Sequence, residues 1–525
     1  MSRSKLAADT VLFNGKIITV DKNFTITEAV AIRDGRFVAV GSNNAVKAYA
    51  AANTVTINLK GQTVTPGLID SHVHPVLLGE NLLRPVQLCH IKSIGDILEA
   101  IAGVAIKTPP GEWIVTAMNW RHFDVDHLPT AVELDAVAPK NPVWVPAGFH
   151  RGSANTIALK ISGITKNTPS PAGGMIFKDP DTGELTGRLD ETAQKPLTDV
   201  LPQVDRVDAL KKACAYFNSI GVTGIVGDGV EPEELEACAK VKVSGQLTMR
   251  CVLKEWFNPS QSREEILGQI HALSGAGLGA LGDDYLKLVG IKTINESLTT
   301  GNPLWPRDYL RDMLVEAAKH NLQAAIHSNA KANEENLSIY QEVNKSYPIK
   351  HLRWSIVHQR FTTPEMIKIN KGLGLVVNQD LGFGLISVLP VERKRKQVSP
   401  HMLYCPIPLY LQEGIPVSLD TDAGTGSTET SVWTAIWVAT HRELWPEFGS
   451  NYNISREDAL RLATMGGAYR MMMEDKTGSI EAGKLADLAV LTADPLTCPD
   501  DKIKDITAVM TIVGGKIVYR RENTP

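Results

Sequence analysis

The stretch "TVTPGLIDSHVHP", residues 63–75, ends an apolar run with two histidines placed two residues apart. The run through Leu68 and Ile69 predicts a strand. Residues i and i+2 of a strand point to the same face, so His72 and His74 direct their imidazoles towards one place. Two converging neutral imidazoles are typical ligands of a divalent transition metal. The alternative is a pair of polar residues on a solvated strand face.

Beyond this stretch, the chain alternates apolar runs with helical patterns. Seven more runs predict strands, at residues 221–229, 248–256, 285–292, 322–328, 353–359, 373–380 and 415–422. Helical patterns such as "RDYLRDMLVEAAKH" and "TPEMIKINKG" lie between most of them. Eight strands joined by crossover helices predict an α/β fold with a (β/α)₈ TIM barrel.

Both ends of the chain show a different pattern, of short strands separated by turns. The segments "TVLFNGKIITV" and "AVAIRDGRFVAVG" carry Asn-Gly and Asp-Gly hairpin signals, and "VMTIVGGKIVYRR" carries a Gly-Gly turn. Chain ends often lie close together, so we expect residues 1–65 and 476–525 to form one small β domain. The barrel then spans residues 66–475, with an inserted subdomain at about residues 80–210, after the first barrel strand.

The composition is that of an ordinary globular protein. The 525 residues are 43% hydrophobic and 21% charged, which is enough to bury a large core. The net charge of −4 gives no basic surface for nucleic acid. The six cysteines lack paired spacing, which predicts reduced thiols and a cytoplasmic location. We expect neither a signal peptide nor a membrane span, because no apolar run approaches the ~20 residues that a span needs.

Polar residues stand at the carboxyl ends of several predicted strands. They are His72, His74, Lys292, His327, His358 and Asp422. Active sites of barrels of this kind lie at the carboxyl face, built from strand ends. Each residue alone has an ordinary explanation, such as Asp422 capping the turn "DAGTG". Their common placement on strand ends favours a shared metal site.

The chemistry of this set is that of a metal-dependent hydrolase. The four histidines and Asp422 can bind one or two divalent ions, with zinc the first choice and manganese, iron or cobalt also compatible. A bound metal lowers the pKa of water towards ~7, which makes hydroxide available at neutral pH. Asp422 would act as the general base on that water and then as the acid for the leaving group.

Lys292 is the unexpected member, because an ammonium group repels metals. A buried lysine can be neutral. It could then react with carbon dioxide to give an N6-carboxylysine whose two oxygens bridge two metals. The alternative is an uncharged or ion-paired lysine beside a single metal.

These motifs together resemble the amidohydrolase superfamily. "DSHVHP" resembles its first-strand motif, and His327, His358 and Asp422 match its later ligands in order. "NGKIITVD" and "TGSIEAGKLADLAVL" resemble the two parts of its small β-sandwich, formed from both chain termini. The segment "GFHRGSANTIAL" is similar to one in the YtcJ-like branch, amidohydrolase family 3, which includes N-substituted formamide deformylases. The resemblance covers nearly the whole chain.

Two loops depart from the pattern of this family. After the lysine of the fourth strand, members commonly carry an Asp-Gly-Ser run, whereas this chain has Asn295 and Glu296 before Ser297. The segment "HSNAKANEEN" after His327 also lacks the usual Gly-Asp pair. Both loops would border the pocket, so we expect a substrate unlike that of the formamide deformylases.

Three further residues are candidates for substrate binding. His150 lies in the insertion and could bind substrate or polarise a carbonyl, or it could be a packed surface residue. Trp120 could form the wall of an apolar pocket, although a core position is the commoner fate of tryptophan. Gln379, at the end of the seventh strand, could contact substrate or bond to a neighbouring loop.

The leading interpretation is a metal-dependent hydrolase of the C–N bond of a small, N-substituted amide, a non-peptide substrate. The alternatives are a hydrolase of cyclic amide, carbamate or ester bonds, and a non-catalytic metal-binding protein on a decayed amidohydrolase scaffold. A deaminase is disfavoured, because Ser328-Asn329-Ala330 follows the fifth-strand histidine where a carboxylic acid is usual. We expect no nucleic-acid or membrane partner, and a homodimer is the commonest arrangement for such an enzyme.

Overall fold

The computed structural model describes residues 7–89, 91–120, 127–148, 151–171, 173–275, 282–296, 302–328, 332–388, 402–425, 431–448 and 450–522. The chain divides into two compact units. Unit 1 comprises Met1–Val73, Cys214–Thr421 and Ser431–Pro525, and unit 2 comprises His74–Ala213 and Asp422–Thr430.

Twenty-five strands occur in the described residues. They are β1 Thr10–Phe13, β2 Lys16–Ile18, β3 Ile26–Thr27, β4 Ala29–Arg33, β5 Arg36–Gly41, β6 Val55–Asn58, β7 Thr63–Pro66, β8 Leu68–Val73, β9 Ile114–Val115, β10 Val143–Ala147, β11 Arg151–Ala154, β12 Gly174–Lys178, β13 Leu185–Glu191, β14 Val222–Val230, β15 Arg250–Trp256, β16 Leu286–Ile294, β17 Gln323–Ser328, β18 Ser355–His358, β19 Phe361–Thr362, β20 Val377–Gln379, β21 Leu403–Tyr404, β22 Val417–Leu419, β23 Leu488–Leu491, β24 Ala508–Val513 and β25 Lys516–Arg520.

The α-helices of the described residues are α1 Asn43–Lys47, α2 Pro75–Leu83, α3 Ile94–Ala105, α4 Ala131–Val137, α5 Thr156–Ile161, α6 Lys195–Thr198, α7 Arg206–Ser219, α8 Pro232–Val243, α9 Arg263–Gly275, α10 Arg307–Lys319, α11 Asn333–Ser346, α12 Pro364–Leu373, α13 Leu381–Phe383, α14 Ile407–Gln412, α15 Val432–Thr440, α16 Arg456–Arg461 and α17 Gly467–Arg470. Short 3₁₀ helices span Thr192–Gln194, Lys350–Leu352, Arg442–Leu444, Pro446–Phe448, Ser450–Tyr452 and Asp500–Asp505, and π-helical turns span Gly384–Val388 and Leu462–Gly466. No helix in the described part of the chain is long and apolar enough to cross a membrane.

Eight strands of unit 1 form one parallel sheet in chain order, β8-β14-β15-β16-β17-β18-β20-β22. Each corresponds to one of the eight predicted runs, which confirms the α/β class and the parallel sheet. Helices α8, α9, α10, α11, α12 and α14 connect successive strands from β14 onwards. The strands are mostly apolar and buried along their length, because helices cover parallel sheets on their faces.

The first and last strands of this sheet are linked by side-chain hydrogen bonds. The hydroxyl of Ser71 in β8 donates to the carbonyl of Leu419 in β22 at 2.8 Å. The hydroxyl of Thr421 donates to the carboxylate of Asp70 at 2.6 Å, and the amide of Thr421 also donates to it at 3.1 Å. These contacts bring the carboxyl end of the eighth strand beside the histidine motif of the first.

Two smaller sheets of unit 1 combine the chain ends. Their orders are β5-β4-β1-β6 and β25-β24-β23-β7-β2-β3, with β7 antiparallel to β23. One apolar core includes residues of both sheets, among them Leu12 and Leu488. Asp34-Gly35 forms the predicted β4–β5 hairpin, and both residues have positive φ. Asn14-Gly15 forms no hairpin, because the chain changes from one sheet to the other there.

Unit 2 contains a separate sheet with the order β12-β13-β11-β10-β9. Two of its helices, α3 and α4, begin at sequence-encoded caps. The Ser93 and Thr130 hydroxyls accept from backbone amides, and Asp96 and Glu133 complete capping boxes at α3 and α4. Its apolar side chains form two core clusters, one around Trp120 and one around Trp144.

Candidate functional site

Three of the predicted ligands lie together at strand ends in unit 1. His72 belongs to β8, His327 to β17, and His358 is the last residue of β18. The ring centroids of His72 and His358 are 5.1 Å apart, those of His327 and His358 are 4.7 Å apart, and both pairs meet edge to face. His72 and His358 are buried. The parallel sheet explains this convergence, because the carboxyl ends of its strands meet at one edge.

A buried carboxylate orients the His72 ring. Nδ1 of His72 lies 2.9 Å from Oδ2 of Asp228 in β14. The same carboxylate accepts from Lys254 Nζ at 2.7 Å and from Arg470 Nη2 at 2.6 Å. Burial acts to raise the pKa of Asp228, but Arg470, Lys254 and His72 outweigh it and hold that pKa well below its ordinary value. Asp228 is therefore ionised and favours the His72 tautomer that carries its proton on Nδ1.

A second buried carboxylate stands behind His358. Nδ1 of His358 lies 3.2 Å from Oδ2 of Asp380, the residue that follows β20. Arg360 donates from Nε to both oxygens of Asp380, at 3.1 Å each, and also from Nη2. Burial acts to raise the pKa of Asp380, but Arg360 and then His358 lower it below its ordinary value. His358 therefore turns the same ring nitrogen towards a carboxylate as His72 does.

The donor set of unit 1 fits a divalent metal ion. With Nδ1 facing a carboxylate, a neutral imidazole keeps its lone pair on Nε2, which is the usual arrangement of histidine ligands. Two buried rings of this kind, with the His327 ring against one of them, suit a metal site better than a purely structural core. The chemistry of imidazole suits zinc, iron, cobalt or manganese ions.

Two further predicted ligands, His74 and Asp422, lie in unit 2, and the chain enters unit 2 immediately before each of them. Nε2 of His74 lies 3.6 Å from Oδ1 of Asp422. The amide of His74 donates to the carbonyl of Ala423 at 2.9 Å, and the Asn81 side chain donates to the carbonyl of Gly424 at 3.1 Å. These bonds attach the turn after Asp422 to the start of α2, so the His74–Asp422 pair is held by its own backbone.

The backbone is strained at two predicted ligands. His358 has φ +71° and Asp422 has φ +53°, in the left-handed region. That region costs roughly 1–2 kcal/mol for a residue with a side chain. Gly424 has φ +111°, and an added Cβ would lie 2.7 Å from the carbonyl oxygen of His74, so only glycine fits there. Strain of this kind is concentrated at functional sites, which supports a role for both ligands.

Lys292 is buried within β16, two residues before the end of the strand. It pairs in register with Ala325 of β17, so it belongs to the same sheet as the three histidines. Gly229 has φ +83°, and an added Cβ would lie 3.1 Å from the Trp256 ring and 3.4 Å from Cγ of Lys292. The glycine therefore makes room for the lysine stem. Carboxylation of this lysine stays a prediction.

The described residues next to the two departures from the family pattern make side-chain hydrogen bonds. Asn295 donates to Asn336 at 2.6 Å and accepts from the amide of Trp305 at 3.0 Å, so it organises the chain that follows β16. Glu296 is buried and accepts from the Ser328 hydroxyl at 3.2 Å. A buried carboxylate therefore follows the end of β16.

The three candidate substrate contacts have different surroundings. Nε2 of Gln379 donates to the carbonyl of His358 at 2.7 Å, so this side chain supports the backbone of a ligand. Trp120 is fully buried in a core cluster of unit 2, and its indole donates to the carbonyl of Pro146 at 2.8 Å. His150 lies outside the described residues. Substrate contact by any of the three stays a prediction.

Sequence reasoning missed the charged residues behind the ligands. Asp228 and Asp380 stand at the carboxyl ends of the second and seventh strands, so the rule that identified the histidines would have identified them as well. Arg470 belongs to the short helix α17, far along the chain, and also donates to the carbonyl of Ser71 at 2.6 Å. No local pattern around Arg470 indicates that contact.

Comparison with known proteins identifies the family of the chain. The profile of the amidohydrolase family matches residues 55–519. An N-substituted formamide deformylase from Arthrobacter pascens is 28% identical over 545 aligned residues, which cover 98% of each chain. The putative amidohydrolase YtcJ from Bacillus subtilis (strain 168) is 25% identical over 535 residues, 97% of this chain and 98% of YtcJ.

A crystal structure of an uncharacterized metal-dependent hydrolase from Pyrococcus horikoshii OT3 shares the fold. It superposes with a TM-score of 0.71 at 20% identity and covers 94% of this chain and 99% of the other. The family match spans most of the chain, and both relatives align over nearly their whole length. The chain therefore belongs to the amidohydrolase family, and the YtcJ-like resemblance of its sequence is confirmed.

Proposed function

We propose that this protein is a metal-dependent hydrolase that cleaves the C–N bond of a small, N-substituted amide. The observation that carries the proposal is the cluster of His72, His327 and His358 at strand ends, with buried carboxylates behind two of the rings. Full-length similarity to an N-substituted formamide deformylase supports amide hydrolysis.

The proposal also includes the arrangement of the three parts of the chain. We propose that the eight-stranded sheet closes into a (β/α)₈ barrel, which the hydrogen bonds from Ser71 and Thr421 support. We further propose a β-sandwich built from residues 1–65 and 476–525. The sheet of unit 2 would then be the inserted subdomain that follows the first barrel strand.

The predicted ligand set would hold one or two divalent ions. A divalent ion supplies Lewis acidity and makes a water molecule nucleophilic at neutral pH. Asp228 and Asp380 keep Nε2 of His72 and His358 available as donors. Lys292 would complete a two-metal site as N6-carboxylysine, or would stand unmodified beside a single ion.

Asp422 would move the proton. Its carboxylate takes a proton from the water that attacks the carbonyl carbon, and it gives that proton to the departing amine nitrogen as the C–N bond breaks. The bond from His74 to Ala423 and the contact of Nε2 with Oδ1 keep the carboxylate in place. The products are a carboxylic acid and an amine.

Metal analysis is the first test. We expect one or two metals per chain by elemental analysis, with a carbon-dioxide adduct on Lys292 in native mass spectrometry if two are bound. His271, Glu316 and His320 form a separate exposed group whose ligand atoms lie within 4.8 Å of one another. A His320→Ala variant therefore corrects the count for surface metal. No metal after supplementation would contradict the proposal and favour a decayed scaffold.

The second test separates catalysis from metal binding. We expect Asp422→Asn to lower turnover of an active amide about 10²- to 10⁴-fold while the metal content is kept. Asp308→Asn, on the exposed surface of α10, is the control and should keep both. A panel of N-substituted formamides, longer-chain amides, cyclic amides, carbamates and esters then assigns the bond. If a cyclic amide, carbamate or ester is turned over faster, that compound class would replace the N-substituted amide as the proposed substrate.

A further inference from the structure

Unit 2 contains a cavity of about 500 Å³ along one face of α2. Leu77, Glu80, Asn81 and Arg84 line it from that side, at the spacing of a single helix face. Strand and loop residues, including Trp144, line the opposite side. The cavity has the size of a small-molecule site.

The helix face that lines the cavity begins one turn after His74, the partner of Asp422. His74 is the N-cap of α2, and Leu77 follows it by one turn on the helix. Asn81 connects the two places, because its Nδ2 donates to the carbonyl of Gly424 and its Oδ1 accepts from the amide of Met118. The side chain that fixes the turn after Asp422 therefore also fixes a wall of the cavity.

One part of the cavity wall is apolar and rigid. Leu77, Met118 and Trp144 contribute to it, and the last two are buried. A Cβ on Gly152 would lie 2.2 Å from the Trp144 ring, so the ring packs directly on the backbone of β11. A fixed indole beside aliphatic side chains suits an aryl or alkyl group.

The other part of the wall carries a cation, Arg84, that forms no ion pair within the described residues, although the carboxylates of Glu80 and Glu191 also line the cavity. Lys195 also lines the cavity, but both oxygens of Asp199 bind it, at 2.8 and 2.9 Å. Arg84 is half-buried and forms no ion pair in the described part of the chain. Burial lowers the pKa of Arg84, and Glu80, one turn earlier, only partly opposes this. A guanidinium that is desolvated without a partner gains from an incoming anion.

We propose that this cavity receives the non-reacting part of the substrate, and that this part is an aryl or alkyl group ending in a carboxylate that pairs with Arg84. The inference rests on the proposed amide hydrolysis and names its substrate class. Ten residues separate His74 from Arg84, about 15 Å along the helix at 1.5 Å per residue. The substrate therefore has room for an aromatic ring between the amide and the acid.

Matched substrates test the inference. We compare N-benzylformamide with 4-(formamidomethyl)benzoate, and N-phenethylformamide with 4-(2-formamidoethyl)benzoate, on the metal-loaded full chain. We expect the acid of each pair to have the higher kcat/KM, by about 10- to 100-fold and mainly through KM, because a charge-assisted hydrogen bond has that value. Arg84→Met should reduce this ratio to near one, and Arg84→Lys should restore part of it.

The control removes a neighbouring charge from the same wall. Lys195→Met should keep most of the ratio, because Asp199 already neutralises Lys195. Thermal unfolding and metal content of each variant establish that it is folded and loaded. An acid-to-neutral ratio near one in the wild type would overturn the inference, and so would a ratio that Arg84→Met leaves unchanged.

Binding measured apart from turnover separates this inference from the proposed function. We titrate the unreactive amine 4-(aminomethyl)benzoate and its neutral counterpart benzylamine calorimetrically into the full chain. Arg84-dependent binding of the acid without hydrolysis of any formamide or longer-chain amide would support the cavity and contradict the amide hydrolase. Hydrolysis of both formamides without Arg84-dependent binding of the acid would keep the hydrolase and overturn the cavity.

Discussion

Asp228 and Asp380 each face a histidine ring, but the net charges of the clusters around them are opposite in sign. Asp228 faces two cations, Arg470 and Lys254, so its cluster carries an excess of positive charge. Asp380 faces one cation, Arg360, and has a second carboxylate, that of Asp420, nearby. Both clusters are buried, where an unbalanced charge is expensive.

In each cluster, the pKa of one titratable group is shifted in the direction that reduces the excess charge. Burial lowers the pKa of Lys254 to about 8, with Asp228 opposing and Arg470 adding to the shift. Burial, and then Asp380 and Asp70, raise the pKa of Asp420 well above its ordinary value. The lysine of one cluster therefore loses its charge above about pH 8, and the aspartic acid of the other stays protonated well above its ordinary range, whereas an arginine stays charged. The comparison teaches that His72 and His358 each keep one ionised carboxylate despite the different charges around it.

The largest effect is expected from Asp228→Asn. This change leaves Arg470 and Lys254 without a counter-charge in the core, and breaking such a pair costs about 4 kcal/mol of unfolding free energy. The measurement is the urea midpoint and slope of the apoprotein. Asp308→Asn, which removes an exposed ion pair with Arg311, should change stability by less than about 1 kcal/mol. If Asp228→Asn lowers the free energy of unfolding no more than Asp308→Asn does, the ion pairs of Asp228 do not stabilise the core.

Asp380→Asn should have the second largest effect. It leaves one buried cation, Arg360, so we expect a loss of about 3 kcal/mol, smaller than that of Asp228→Asn. The same urea series measures it. If the proposed metal site is correct, both variants also weaken metal binding, on the order of 10- to 100-fold, because a partner of a ligand histidine is removed. A greater loss of unfolding free energy for Asp380→Asn than for Asp228→Asn would contradict the idea that the number of unpaired cations sets the loss.

The sequence was sufficient to place the predicted ligands at strand ends but not to predict the charged clusters behind them. An apolar run that ends in a polar residue is a local signal, and it identified the eight parallel strands together with His72, His327 and His358. Asp228 carries the same signal, yet its role depends on Arg470, a residue from a distant helix. Contacts of that kind depend on how strands and helices pack, which no periodicity records.

A local sequence pattern also does not determine which strands pair or which side chains line a cavity. Asn14-Gly15 has the composition of a hairpin turn, but the strands that it joins belong to different sheets. Trp120 and Trp144 are both tryptophans of the insertion, and only Trp144 lines the cavity of unit 2. Which large side chain borders a cavity is decided by packing, since both are equally apolar in sequence.

A pH titration of stability sharpens the comparison through Lys254. Its pKa is about 8 in the folded chain and about 10.4 in an unfolded one. Between these values the unfolded chain binds more protons, so stability rises with pH there and is insensitive to this lysine below pH 7. We expect the wild type to gain about 2 kcal/mol relative to Lys254→Met between pH 7 and pH 9.5.

The stability of the wild type is compared with that of Lys254→Met because other groups titrate in the same pH range. Burial raises the pKa of Cys214 to about 11 and that of Cys238 to about 12, so both thiols oppose the trend at alkaline pH. They are present in both proteins and cancel. A pH-independent difference would mean that Lys254 stays charged and that the excess charge is relieved elsewhere.

The smallest effect is expected from Lys254→Met in the Asp228→Asn background. Without Asp228, Lys254 can lose its proton near neutral pH and remove its own charge, whereas Arg470 cannot. The added change should therefore recover only about 1 kcal/mol of the lost stability, measured by a double-mutant cycle in urea. Recovery of most of the loss would mean that Lys254 is the charge that Asp228 chiefly neutralises. The lysine would then be a fixed cation like Arg360, and the two clusters would differ only in number of charges.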